Sequence, residues 1–146
     1  MRIYLLIGFI AILLIGCGKP IKGVQDDAFK AYIEHFETMQ NVSTEFTSVT
    51  FIDSIQDDPN SQYYTIGYCD PNTNSVKILK SFWDTAPNSE RRTVIMHELG
   101  HCVLNLDHDD QLNNRWSDGC PNSFMNSILM DSWCYDLRYG KDQFSE

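Results

Sequence analysis

Basic residues are scarce in this chain of 146 residues: 11 lysines and arginines stand against 20 aspartates and glutamates, so the formal net charge is −9. Phosphate binding needs a basic face, and this deficit therefore argues against a nucleic-acid partner. The chain also lacks internal repeats, low-complexity tracts and Cys-x-x-Cys pairs, which argues against a repeat fold and against a zinc site built from thiolates. Its length and its 42% hydrophobic residues favour one folded domain, which we expect to be monomeric.

The longest apolar run stands at the N-terminus, and it is too short to span a membrane comfortably. It extends from Ile3 to Ile15, follows the positive charge of Arg2, and is typical of a secretory signal peptide. Its end, Leu-Ile-Gly-Cys, resembles the bacterial lipobox, which implies cleavage before Cys17 and a lipid on that cysteine. An uncleaved anchor and an ordinary signal peptide are the alternatives.

The lipobox resemblance predicts an exported protein, anchored by lipid to a bacterial membrane, either the outer membrane or the cell surface. The chain then divides into a signal peptide, a lipidated cysteine with its tether, and one folded domain: 1–16, 17–24 and 25–146.

Cysteine is rare, with five residues in all, and four of them follow the lipidation site: Cys69, Cys102, Cys120 and Cys134. An exported protein meets an oxidising environment, so an even number predicts two disulfides with three possible pairings. We favour Cys102 with Cys120, because the chain must return past the helix that contains Cys102. The alternative is that Cys102 is a buried thiol.

Hydrophobic periodicity predicts a helix and a small sheet, and residues typical of a helix start predict a second helix, so we expect an α+β domain. The predicted segments are, in order, a helix over 26–40, strands over 44–55, 63–70 and 75–80, and a helix over 89–104. Ser89 is the candidate N-cap of the second helix, and Asn105 can end it in the left-handed conformation. A short helix is expected near the C-terminus. His35, alone on the first helix, is expected to be a surface or packing residue.

Histidine is also scarce, yet three of the four histidines lie within the stretch HELGHCVLNLDH, residues 97–108. On a helix, His97 and His101 point the same way, so they can share one zinc ion. Glu98 is displaced by about 100° around the helix axis and can reach a water molecule without binding the metal. Zinc lowers the pKa of such a water, and Glu98 can act as its general base.

A catalytic zinc usually has three protein ligands, so one more ligand is needed. Thermolysin-like enzymes use a later glutamate, but here the only glutamate after Glu98 is Glu146 at the C-terminus. The stretch resembles the metzincin signature H-E-x-x-H-x-x-G-x-x-H, with Leu104 and Asp107 where its glycine and third histidine should be. Asn105 and His108 each come one residue late, and a helix break at Asn105 would bring His108 to the metal.

The metzincin resemblance implies a Met-turn, for which Met125 in PNSFMNS is the candidate and Met130 the weaker one. The tyrosine expected two residues later is absent, because Ser127 stands there. The motif DLRYG resembles part of the aspzincin pattern, which makes Asp136 an alternative third ligand beside Asp107. The resemblance further implies a compact zincin domain with a small twisted sheet, an irregular C-terminal part, and an edge strand near 62–69 that binds the substrate.

These patterns together predict a lipid-anchored zinc metallopeptidase whose substrate is a protein or peptide. Two other functions stay open. One is a surface binding lipoprotein in which zinc only stabilises a small domain, and the other is a metal-dependent amidase that acts on cell-wall peptides. Glu98 favours hydrolysis, because a purely structural zinc site does not need it.

Overall fold

The computed structural model describes residues 21–57, 64–110, 119–121, 123–130 and 132–139. The predicted signal peptide and Cys17 lie outside these residues, as does the start of the predicted tether. In the part of the chain that the structure describes, no helix is both long enough and apolar enough to cross a membrane.

The described chain forms four α-helices and three β-strands. In chain order they are α1 (Lys30–Gln40), β1 (Ser48–Ile52), β2 (Gly67–Asp70), β3 (Ser75–Leu79), α2 (Lys80–Thr85), α3 (Asn88–Leu104) and α4 (Ser132–Tyr139), with a 3₁₀ turn at Asp27–Phe29 before α1. The predicted α+β class is confirmed.

The sheet is mixed, with β3 between β1 and β2. β1 runs parallel to β3, and β2 runs antiparallel to it, so that Phe51 of β1 and Gly67 of β2 both stand opposite Ile78. The predicted hairpin between the last two strands is confirmed, and Asn74 supplies the positive φ of 48° in its turn. β2 is consequently an edge strand, and it packs against α3.

Helix ends follow local chemistry. The prediction that Ser89 caps α3 is wrong: the N-cap is Pro87, whose carbonyl accepts hydrogen bonds from the backbone N–H groups of Glu90 and Arg91 at 3.1 Å each. At the other end the prediction is confirmed, because Asn105 has φ 52° and ψ 41°, the left-handed conformation that stops the helix. The short helix α2 was not expected, since its six residues are too few for a clear periodic pattern.

The apolar face of α3 and an aromatic cluster form most of the core. Trp83 meets Phe29 edge-on at 4.7 Å between ring centroids and Tyr32 at 5.3 Å. On α3 the buried apolar residues are Val94, Ile95, Met96 and Leu99. Packing of α3 against α1, β2, β3 and α4 fixes the rotation of the helix, and therefore the direction in which its polar side chains point.

Two disulfides are present, as predicted, but the preferred pairing of Cys102 with Cys120 is wrong. Cys69 bonds to Cys102, and Cys120 bonds to Cys134. The reason is that the edge strand β2 packs directly on α3 and brings Cys69 to Cys102, whereas α4 returns to the segment that holds Cys120. Sequence order alone does not show which strand lies beside which face of a helix.

Candidate metal centre

Helix α3 presents His97 and His101 one turn apart, and both rings are oriented by backbone carbonyl groups. Nδ1 of His97 lies 2.9 Å from the carbonyl oxygen of Phe124, and Nδ1 of His101 lies 2.6 Å from that of Leu106. A carbonyl oxygen only accepts hydrogen bonds, so each Nδ1 is the protonated nitrogen of its ring. Both Nε2 atoms therefore keep a lone pair, the form in which histidine binds a metal.

His108 reaches the same place from the loop after α3. Because Asn105 ends the helix, the chain turns back, and Nε2 of His108 lies 3.2 Å from Nε2 of His97. Nε2 of His101 lies 3.1 Å from Nε2 of His97. These three side chains, which we call the three-histidine cluster, could hold a metal ion.

The cluster fits a tetrahedral metal site. With metal–nitrogen bonds of about 2.0–2.1 Å, the nitrogen atoms of such a site are separated by about 3.3 Å. The observed separations of 3.1 and 3.2 Å are close to that value. Two nitrogen lone pairs at this distance repel each other, and a shared cation removes the repulsion. Three imidazoles suit zinc, and they also suit copper, iron and nickel.

Burial keeps His97 ready to bind a cation. Desolvation lowers the pKa of His97 to about 4, and its two histidine neighbours lower it further, against the opposing effect of the Phe124 carbonyl. His97 is therefore neutral at pH 7, so a metal ion does not have to displace a proton from it.

Glu98 lies beside the cluster, with only 6% of its surface exposed. Burial raises the pKa of Glu98 to about 7, and a hydrogen bond from the backbone N–H of Cys69 opposes that shift. Among the described residues its carboxylate is not part of the group that could hold a metal. A carboxylate of this kind can accept a proton near neutral pH and can also give it back.

Two cavities meet at the cluster. One has a volume of about 460 Å³ and extends towards residues 126–129. The other has a volume of about 440 Å³ and extends along β2 towards residues 105–107. The residues that line both are Thr65, Gly67, His97, Glu98 and His108. The cluster and Glu98 therefore stand where the two cavities join, beside the edge strand.

A tight turn underlies α3 at the cluster. Met125 is buried, and a Cβ atom added to Gly100 would lie 2.4 Å from its sulfur, so only glycine allows this approach. The hydroxyl of Ser123 accepts a hydrogen bond from the backbone N–H of Met125 at 3.0 Å. Met130, the weaker candidate for this position, is also buried, and its carbonyl accepts a hydrogen bond from Thr93 at 3.1 Å.

The other candidate ligands are not members of the three-histidine cluster, although Asp107 lines the second cavity. Asp107 is exposed on the loop before His108, and Asp136 of α4 pairs with Arg92 at 3.1 Å. His35 is half-buried on α1. Within the described ranges, none of the three belongs to the group that could hold a metal.

Sequence reasoning did not identify the residues that support the cluster. Gly67 lets β2 approach α3, since an added Cβ would lie 3.2 Å from Cγ of Glu98. Asp110 accepts hydrogen bonds from the backbone N–H and the hydroxyl of Ser127. The signal for Gly67 was a glycine inside a predicted strand. The contact between Asp110 and Ser127 is visible only in the tertiary structure.

Comparison of the chain with protein-family models, with curated proteins and with solved structures gives no match.

Proposed function

We propose that the chain is a zinc-dependent peptidase that hydrolyses peptide bonds at the three-histidine cluster. The observation that supports this most is the position of Glu98, a buried carboxylate that lines both cavities beside the cluster. Burying an ionisable carboxylate costs free energy, and a site that only stabilises the fold does not need it. We therefore favour hydrolysis over a zinc-stabilised binding module.

Glu98 supplies the proton transfers of the reaction. Bound zinc would lower the pKa of a water molecule towards 7 and polarise the carbonyl group of the substrate. The carboxylate of Glu98 removes a proton from the attacking water and returns it to the leaving amine nitrogen. Burial raises the pKa of Glu98 to about 7 in the metal-free protein, and the charge of bound zinc would lower it, which favours the ionised carboxylate that acts as the base.

The edge strand β2 offers a surface for an extended peptide. Gly67 and Cys69 of β2 line the second cavity, and β3 pairs with the opposite edge of β2. An extended substrate can add to such an edge by backbone hydrogen bonds. Val94 and Leu129 line the larger cavity and favour an apolar substrate side chain there.

We further propose that the domain is metzincin-like, with Met125 as the Met-turn residue. This rests on the left-handed break at Asn105, on the approach of His108 from the following loop, and on the packing of Met125 against Gly100 beneath the cluster.

Export and lipid anchoring at Cys17 belong to the same proposal. The two disulfides support an oxidising compartment. Mass spectrometry of the mature N-terminus is expected to show a lipidated Cys17, and an unmodified terminus at another residue would contradict the anchor.

Peptidase activity is tested by removing and restoring the metal. Purified protein should cleave an unfolded protein substrate, lose this activity to a chelator, and recover it with zinc. The Glu98→Ala variant should bind zinc normally and lose activity by about 100-fold or more. Cleavage of cell-wall peptides with no cleavage of unfolded proteins would favour the amidase, and zinc binding without any hydrolysis would favour the binding module.

A further inference from the structure

The loop that carries His108 is joined to the Met125 turn by several hydrogen bonds. The backbone N–H of Asp109 donates to the carbonyl of Met125 at 2.9 Å, and the side-chain amide of Asn126 donates to the carbonyl of Asp109 at 3.2 Å. The carboxylate of Asp110 accepts from the backbone N–H of Ser127 at 2.7 Å and from its hydroxyl. We call the Asp110–Ser127 pair the loop clamp.

The third histidine needs such support more than the other two do. His97 and His101 lie on a helix that packs against two strands and two helices, which fixes their positions, and backbone carbonyls orient both rings. His108 is exposed and follows a left-handed helix end, so its distance from the other two depends on where the loop is held. The loop clamp lies two residues after His108, and it ties the loop to the turn whose Phe124 carbonyl orients His97.

We propose that Asp110, through Ser127, positions His108 for metal binding. Asp110 is a positioning residue that does not contact the metal: one of its oxygens holds the backbone of Ser127 and the other holds the hydroxyl. Hydrogen bonds to an ionised carboxylate are stronger than neutral ones, which suits a contact at the protein surface. The proposal rests on the metal site of the proposed function but not on its peptidase activity.

Asp110 also carries a negative charge near His97 and His108, so charge and position have to be separated experimentally. Asp107 offers a matched control, because it is an exposed aspartate on the same loop and its removal changes the net charge equally. Ser127→Ala removes one of the two hydrogen bonds and leaves every charge in place.

Zinc affinity measured by competition with a chromophoric chelator tests the proposal. Asp110→Ala should weaken zinc binding by about 10- to 100-fold, the range for groups that support a metal ligand. Asp107→Ala should weaken it by less than about 5-fold, the scale of one exposed charge. The loss of zinc affinity in Ser127→Ala should fall between those two values. The variant that combines Asp110→Ala with Ser127→Ala should bind zinc no more weakly than Asp110→Ala alone, because the Ser127 hydroxyl has no carboxylate left to contact.

Two further measurements report on the loop itself. The absorption spectrum of the cobalt-loaded protein should change in Asp110→Ala and stay unchanged in Asp107→Ala. Amide hydrogen exchange at Ser127 in the metal-free protein should be slow in wild type and fast in Asp110→Ala.

Equal zinc affinity and equal cobalt spectra in wild type and Asp110→Ala would overturn the proposal, as would equal losses in the two aspartate variants. If Asp110→Ala does not fold, Ser127→Ala decides, because wild-type zinc affinity in that variant contradicts the clamp. A wild type that binds zinc but cleaves no peptide refutes the peptidase alone.

Discussion

The chain up to Leu104 and the chain after it are held together in different ways. The first part has three helices and a three-stranded sheet around a continuous apolar core. The described residues after Leu104 include one helix, and they add Phe124, Met125 and Met130 to that core. Their loops are otherwise held by the Cys120–Cys134 disulfide and by hydrogen bonds. The first part supplies two histidines and Glu98, whereas the second supplies His108 and the turn that contains Met125.

This difference bears on how the proposed metal site would form. Two histidines on a packed helix are in place before a metal binds, while the third depends on contacts between two loops. A metal ion that binds all three therefore joins the two parts, and its binding energy stabilises the second more than the first.

The largest effect is expected from removing the ligands. His101→Ala and His108→Ala should each weaken zinc binding by more than about 100-fold. That is the largest loss usual for groups that only support a metal ligand. In the metal-free protein the two variants should differ in their free energy of unfolding. His108→Ala should leave it nearly unchanged, because His108 is exposed on the loop after α3, whereas His101 lies on α3 itself. Calorimetric titration with zinc and thermal unfolding check both expectations. Wild-type zinc affinity in His108→Ala would contradict the claim that the part after Leu104 supplies a metal ligand.

The two disulfides allow the stability of the two parts to be compared. Cys69 and Cys102 are 33 residues apart in the chain, and Cys120 and Cys134 are 14 apart. By the chain-entropy relation, replacing the first pair with alanine should cost about 4 kcal/mol and replacing the second about 3 kcal/mol. Denaturant unfolding of the two double variants measures the difference. A larger loss from the second pair would mean that the part after Leu104 contributes more to global stability than we infer.

A smaller effect is expected from the burial of Glu98. Its pKa is about 7 in the folded protein against 4.5 in the unfolded chain, so the ionised form destabilises the fold at high pH. This cost is absent below about pH 4.5 and complete above about pH 7. Glu98→Gln removes the ionisation, so the unfolding free energy of the metal-free variant, relative to wild type, should rise by about 3 kcal/mol between pH 4.5 and pH 8. A difference independent of pH would contradict the raised pKa.

The same two parts differ in how far the sequence predicts them. The helix over 89–104 follows from residues typical of a helix start and from the His-Glu-x-x-His motif. Its end at Asn105 follows from the tolerance of asparagine for positive φ, and the structure has both. The pairing of Cys69 with Cys102 does not follow, because it depends on β2 lying against α3. Neither does the contact of Asp110 with Ser127, which joins loops 17 residues apart without a periodic pattern.

The central claim is that the three-histidine cluster binds the metal and Glu98 moves the proton. Zinc content and kcat/KM measured together on wild type and Glu98→Gln test it most directly, because glutamine keeps the size of the side chain and removes the base. The account predicts one zinc per chain in both proteins and a kcat/KM lower by about 100-fold or more in the variant. Equal kcat/KM at equal zinc content would contradict it.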